Sequence, residues 1–424
     1  MKKPLRYIGR YIRTTDLLLL GLSLICSLFG LVLIYSATSS MEGGSARYMT
    51  VQSVAIVLGI LGFIIISLID LERFAPAWRI VFLVNILFQL SLIPFGYASG
   101  GNQSWLRFGS FGIQPAEVGK LLFIFTFAKH VNLMRYKLNR WRSIAVLLLH
   151  CAIVMLAIII PSKDVGMSLP YLFICIIMMF AGGLSLKWFA GGVILGCAAI
   201  PILWSVLSNT QRDRILVLID PTVSPATYWQ QEQSIIAIGA GQLKGAGFLQ
   251  GSQTQYNMLP EKHTDFILGV AGEEWGFLGA MLILILLTLI ILRIFLVSYR
   301  ADSSFLSLIG TGIGSMFLFQ TFENFFMCLG IGPVMGLTLP FFSYGGSSIV
   351  TMFVAVGMVA GIKMRHSLRQ AGLKSLMSSI GLPSVSIGRR KKSDAAASPE
   401  PEAPQAEPAE AETSENTDNE IVEE

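Results

Sequence analysis

Charge is what this chain has least of. Asp, Glu, Lys and Arg make up 13% of its 424 residues, whereas a soluble domain carries about 25%. So few charges cannot cover a soluble surface, and with 53% hydrophobic residues the solvent for much of the chain must be lipid. Cysteine is also scarce. Cys26, Cys151, Cys175, Cys197 and Cys328 each sit in an apolar run without metal-ligand spacing, which argues against a disulfide framework or a zinc site. No Gly-x-Ser-x-Gly elbow, His-Glu-x-x-His motif, dinucleotide fingerprint or Walker spacing occurs, and no internal repeat is visible. His130, His150 and His366 stand singly and read as structural.

What is present is long apolar runs. A bilayer core needs about 20 apolar residues in a helix. About ten segments qualify, near 17–38, 48–69, 77–96, 114–131, 142–160, 167–184, 187–207, 266–297, 304–329 and 347–366. The expected fold is therefore an all-α polytopic integral membrane protein. The first run is too long for a signal peptide and reads as an anchor. Basic residues set the orientation. All 31 Lys and Arg lie before residue 393, and eleven of the 26 acids lie after it. That surplus would also suit nucleic acid, but its placement follows membrane topology, so no nucleic-acid partner is expected. With both termini cytoplasmic, the basic clusters at the N-terminus, at 129–142 and after Gly361 all fall inside, as the positive-inside pattern requires.

Three regions result: a basic cytoplasmic N-terminus over 1–16, a transmembrane domain over 17–366, and a cytoplasmic tail over 367–424. The tail is basic, then acidic, and too poor in apolar residues to bury a core, so disorder is expected. One loop is long. It runs from about 208 to 264, between spans seven and eight, on the extracytoplasmic side. Its Trp229, Tyr228 and Tyr256 argue for an ordered segment, with a short helix at Ser234–Ala240. The glycines of Gly239–Gly247 suit tight turns or close backbone approach.

Ionisable groups inside spans are costly and mark candidate sites. Glu117 and Lys120 are three apart on one helix face and neutralise one another. Whether they serve structure or function stays open. Gln320, Glu323 and Asn324 share a face late in the ninth span, and Asp265, Glu273 and Glu274 open the eighth. All lie toward the outer side, as a polar cavity open to that side would require. Glu261, Lys262, His263 and Asp265 crowd the junction of the long loop and the eighth span. Asp265 could cap the helix or act as a general base. A metal site from Glu261, His263 and Asp265 lacks a further ligand, and none is assigned. Arg212 and Arg214 flank Asp213; with Arg107, Lys120 and Lys262 they could bind an outward-facing anion, or form a solvated turn. Pro340 and Gly345-Gly346 break helix around Ser343, so a bent or re-entrant segment is expected there.

These windows together resemble the shape, elongation, division and sporulation family, whose members include RodA, FtsW and SpoVE. The resemblance covers about Asp16 to His366. Pro333–Ser348 is its most specific piece, followed by Leu259–Ile267 with Gly272–Gly276. Gly101–Arg107, Gln114–Lys120, Gln211–Arg214 and Gln233–Gly239 add further matches. One departure lies at Lys163 and Met167, where the family usually has Pro and Thr around Asp164 and Gly166. The window ending at Asp265 is slightly closer to elongation-type, RodA-like members.

The resemblance implies a peptidoglycan glycosyltransferase that polymerises lipid II on the outer face of the bacterial cytoplasmic membrane. Asp265 matches the essential aspartate, and Arg107, Lys120, Arg212, Arg214 and Lys262 would bind the diphosphate. Glu117, Glu261, His263, Glu323 and Ser343 would support them. A class B penicillin-binding protein is the expected partner, beside lipid II and membrane lipid. No cofactor is required, though a divalent cation such as Mg or Mn could accompany the lipid diphosphate. Two other classes use the same features: a lipid-linked sugar flippase and a noncatalytic scaffold for the transpeptidase.

Overall fold

The computed structural model describes residues 9, 11–41, 43–99, 102–108 and 111–379. The chain divides into two units, Met1–Gly372 and Leu373–Glu424; of the second, only residues 373–379 are described, as helix. The tail expected to be disordered begins at residue 367, but its first part, 367–379, is helix, because the last span runs on to Ser379; residues 380–424 and most of the basic N-terminus lie outside the described residues.

Each of the apolar segments read from the sequence is helical. The longer helices are α1 (Leu17–Ser39), α2 (Ala46–Leu68), α3 (Trp78–Leu90), α4 (Pro115–Met134), α5 (Trp141–Ser162), α6 (Leu169–Ala181), α7 (Leu186–Val206), α8 (Asn209–Leu216), α9 (Pro225–Ala240), α10 (Ile267–Tyr299), α11 (Ser304–Cys328) and α12 (Gly346–Ser379). Among the described residues, seven helical stretches are long and apolar enough to cross a membrane: α1, α2, Leu71–Phe95 around α3, α5, α10, α11 and Gly346–Gln370 of α12. Stretches at Gly166–Ala181 and Leu186–Pro201 are apolar but shorter. α4 spans 20 residues and carries the buried Glu117 and Lys120.

The candidate spans carry apolar residues on both their buried and their exposed faces, as helices between a core and lipid do. α1 buries Leu19, Cys26, Leu33 and Ile34 while exposing Leu18, Ile25 and Leu28. Its small buried residues let other backbone approach: a Cβ on Gly30 would lie 2.7 Å from the Phe341 carbonyl oxygen. α11 and α12 are the most buried spans and form the centre of the bundle. α7 is the opposite case. Leu186, Val193, Ile194 and Leu195 are exposed, and the helix is held at its start, where Phe189 meets Phe180 and Trp188 Nε1 donates to the Asn139 carbonyl.

One element departs from the all-helical expectation. Gly96–Ser99 (β1), Asn102–Phe108 (β2) and Phe111–Ile113 (β3) form an antiparallel sheet of order β1-β2-β3, with Gly96 opposite Leu106 and Arg107 opposite Gly112. Its cause is a short period-two pattern: Ser104 and Leu106 are buried while Arg107 is exposed.

A second departure lies within α10, which the sequence presents as one continuous apolar run. Gly276 breaks it, at φ 68° and ψ −164°. A broken helix leaves backbone groups without partners, which lipid cannot supply. The loop Gln242–Gly247 supplies them. Ala246 and Gly247 donate to the carbonyls of Glu273 and Glu274, at 2.9 and 3.1 Å, and the Phe277 and Leu278 amides donate to Gln242 and Leu243, at 2.8 and 3.3 Å. The contact requires glycine at 245, where φ is +84° and a Cβ would lie 2.2 Å from the Glu274 carbonyl oxygen. The glycine-rich window is thus a close backbone approach. The short helix expected at Ser234–Ala240 is the last part of the 16-residue α9.

Candidate active site at the head of α10

Asp265 stands two residues before α10. The residue at the cap position is Phe266, and no side chain caps the helix. The Asp265 carboxylate therefore does not serve the capping role open to it. Among the described residues it accepts no hydrogen bond. Its backbone, by contrast, is fixed. Asn324 Nδ2 of α11 donates 2.8 Å to the Asp265 carbonyl and 2.9 Å to that of Leu337, and Cys328 Sγ lies 3.7 Å from the former. Asn324 thereby joins the head of α10 to the non-helical segment before α12.

That segment is held from both sides. Gln52 of α2 donates to the Ser343 carbonyl at 3.2 Å and accepts from the Gly345 amide at 3.1 Å. Ser343 Oγ accepts from the Leu339 amide at 2.9 Å, and the Tyr344 amide donates to the His263 carbonyl at 2.8 Å. Phe341 and Phe342 are buried. Irregular backbone at this depth is sheltered inside protein, as the breaks at Pro340 and Gly345-Gly346 lead one to expect.

Four charged groups lie within electrostatic reach of Asp265: Glu261, Arg214, Asp164 and Glu323. Burial pushes the Asp265 carboxyl up to about 7; Glu261 pushes it further, Arg214 opposes, and Asp164 adds to the rise. The side chain remains partly exposed, so it sits in a crevice rather than a sealed core. Gly336, at φ +70°, lines this crevice: a Cβ there would stand 3.6 Å from Asp265 Oδ2. Glu323 is buried with no cation paired to it among the described residues, and the side chain of Gln320 one turn before it is without hydrogen-bond partners.

The residues expected to form an anion site divide. Arg214, on α8, lies within electrostatic reach of Asp265. Arg212, two residues away, turns back to donate to the Trp204 and Ser205 carbonyls at 3.0 and 3.1 Å, closing the end of α7. Arg107 is exposed on β2 and lies over the Tyr97 ring at 4.3 Å. Lys120 is buried and pairs with Glu117 at 2.7 Å, while Ser348 Oγ reaches Glu117 at 3.4 Å. Lys262 is also buried. Its ammonium donates to Ser40 Oγ at 2.9 Å, to Asn257 Oδ1 at 2.7 Å and to the Thr254 carbonyl. Burial lowers it to about 8, with Glu273 and Glu274 opposing. Both ammonium groups are buried; Lys262 is held by three acceptors of the protein and Lys120 by its ion-pair partner Glu117, partners that the sequence does not reveal.

Three more groups serve structure by their contacts. Glu273 accepts from the Gln253 and Thr254 amides at 2.7 and 2.9 Å, holding the head of the short helix Ser252–Gln255. Glu261 is exposed and accepts from Thr264 Oγ1 at 2.9 Å. His263 lies edge-on to Tyr48, with ring centres 5.1 Å apart, and burial lowers its pKa.

Asp164 is the functional candidate missing from the sequence-based set. Its Oδ1 accepts from the Met167 amide at 3.4 Å, and it lies beside Gly166, whose Cβ would meet Asp164 Oδ1 and the Met335 carbonyl oxygen, each at 3.2 Å. The signal was its place just past the end of α5. Lys163, which stands where the family usually has proline, adopts φ 55°. Proline is locked near −65° and cannot take that conformation, so the loop geometry here is its own.

The fold and site define a multi-pass helical membrane protein with a recessed, partnerless carboxylate at one end of the bundle. The FtsW/RodA/SpoVE family of cell cycle proteins matches residues 16–368, and the chain belongs to that family. Among its relatives is a probable peptidoglycan glycosyltransferase FtsW from Geobacter metallireducens, 32% identical over 86% of this chain and 97% of that protein. The peptidoglycan glycosyltransferase MrdB of Escherichia coli K12 is 32% identical over 81% of this chain and 93% of its own length. Among solved structures, a chain from a peptidoglycan synthase complex coordinating polymerization and crosslinking superposes with a TM-score of 0.72, at 26% identity, over 83% of this chain and 98% of that one. The rod shape determining protein RodA of Thermus thermophilus gives a TM-score of 0.62 at 25% identity, over 82% of this chain and 96% of its own.

Proposed function

We propose that this protein is a peptidoglycan glycosyltransferase that polymerises lipid II at the outer face of the bacterial cytoplasmic membrane. The observation that carries the reading is the Asp265 carboxylate, fixed through its backbone, free of hydrogen bonds and raised to about 7. A general base works best when its pKa lies near the operating pH. The basic helix ends face the cytoplasm under the positive-inside rule, which puts both termini inside and Asp265 outside.

In this reaction Asp265 takes the proton of the acceptor sugar hydroxyl. The freed oxygen attacks the anomeric carbon of the donor, and the bond to the diphosphate oxygen breaks. The electron pair leaves with undecaprenyl diphosphate. Arg214 is the cation best placed to stabilise that departing charge, and exposed Arg107 is available at the sheet. A Mg or Mn ion carried on the lipid diphosphate would enter as part of the substrate. A class B penicillin-binding protein is the proposed partner, supported by the likeness to a chain of a peptidoglycan synthase complex. Identity to FtsW and MrdB is equal, at 32%, so the elongation role rests on the window ending at Asp265.

The test is lipid II polymerisation by the purified protein with its cognate partner, comparing wild type with Asp265→Asn. Polymer in wild type that collapses in a folded variant is the expected result. Equal polymer in both removes Asp265 from the chemistry. Scrambling of lipid II without polymer makes the protein a flippase, and neither activity leaves the scaffold.

A further inference from the structure

At the end of the bundle opposite Asp265, acids and bases are shared out unevenly. Asp16 pairs with Arg293 at 2.9 Å and Lys363 at 3.4 Å, Asp70 with Arg365 at 3.1 Å, and Glu72 with Arg369 at 2.9 Å. Asp302 takes His366 and Arg369. The carboxylates described at that end are thus engaged by α10 and α12. Across the same end, the turn between α4 and α5 has no acid to pair with, since none occurs between Glu117 and Asp164. Arg79, Arg135, Lys137, Arg140, Arg142 and Lys187 are exposed there. None of them is in an ion pair among the described residues. Asn139 ties Lys187 into the group, accepting from the Ser185 amide at 2.8 Å and from Trp188 Nε1 at 3.2 Å.

Such a cluster repels itself unless something outside the protein neutralises it. Two aromatic side chains beside it point to what that is. Tyr136 is 96% exposed and Trp141 65% exposed. Exposed Tyr and Trp at the end of a membrane helix belong at headgroup level, with an apolar body in the acyl region and a polar tip in the interface. The depth of the cluster is therefore that of lipid phosphates. We infer that the α4–α5 turn, with the start of α7, is a docking surface for anionic phospholipid headgroups of the bilayer around it. The inference is independent of the glycosyltransferase reading, and its test reads no catalysis.

The full chain is purified in detergent and its retention of phosphatidylglycerol over phosphatidylcholine is measured by native mass spectrometry. Wild type prefers phosphatidylglycerol, and the preference weakens with salt. The double variant Arg140→Gln, Arg142→Gln loses it by roughly tenfold or more. A charge-matched control distant from the turn, Arg47→Gln with Lys244→Gln, keeps it. Unfolding temperatures equal to wild type establish that the variants fold, as loss of unpaired surface cations allows. Equal retention in wild type and the double variant, or equal loss in the control, overturns the inference. So does phosphatidylglycerol binding that emerges only when residues 393–424 are deleted, which makes the chain's own acidic tail the occupant.

Discussion

The two ends of the helix bundle treat carboxylates in opposite ways. At one end Asp16, Asp70, Glu72 and Asp302 each meet a cation within hydrogen-bonding or ion-pair distance. At the other, Asp265 and Glu323 meet none, although both are held in protein. An unpaired buried carboxylate costs stability and is retained where something uses it. The paired set fastens helices together, and the unpaired set is the one on which the proposed chemistry rests. Glu117–Lys120 lies toward the Asp265 end but behaves like the opposite one, buried and mutually paired.

Substitutions at each end break the comparison differently. Asp265→Asn has the largest effect: polymerisation falls by about 10²–10⁴-fold, while stability at pH 8 rises. The sign follows from the raised pKa. Ionised Asp265 destabilises the fold, that cost grows as pH climbs from the ordinary carboxylate range to about 7, and the amide removes it. Thermal unfolding in detergent at pH 5 and pH 8 measures the difference. Asp16→Ala reverses the pattern. It leaves Arg293 and Lys363 without their acid, so stability falls by roughly 2–4 kcal/mol, while turnover per folded molecule stays near wild type.

Gly245→Ala forces a Cβ against the Glu274 carbonyl and strains a positive φ, for an expected loss of about 1–3 kcal/mol. Gly239→Ala, in the same window with nothing within 4 Å, changes stability by less than about 1 kcal/mol. A pair of melting curves separates close approach from mere glycine content. The smallest effect is the most local. Glu261→Gln removes a like charge that raises Asp265, so the acid limb of the pH–rate profile moves down by about one unit or less.

Much of this arrangement was legible in the sequence, and what was not has identifiable causes. The helices were readable because each apolar run stands alone between polar turns. The break at Gly276 was not, because the run continues on both sides and the hydrogen bonds that permit it come from Gln242–Gly247. The sheet was missed because its strands are three to seven residues long, too short for a period-two pattern to stand out. Asp265 was prominent as one acid in a crowded junction. Lys262, its neighbour, looked equally available, and only the fold shows its ammonium held by Ser40, Thr254 and Asn257. The ion pairs of Asp16 were not legible, since its partners Arg293 and Lys363 lie hundreds of residues away in sequence.

The most direct test of the account is the pH dependence of lipid II polymerisation by wild type, measured as kcat/KM between pH 5 and 9. A base raised to about 7 predicts a rate that climbs tenfold per pH unit below that point and levels off above it. A rate already level from pH 5 upward would contradict the account, because it would mean that Asp265 titrates like an ordinary surface carboxylate or is not the base.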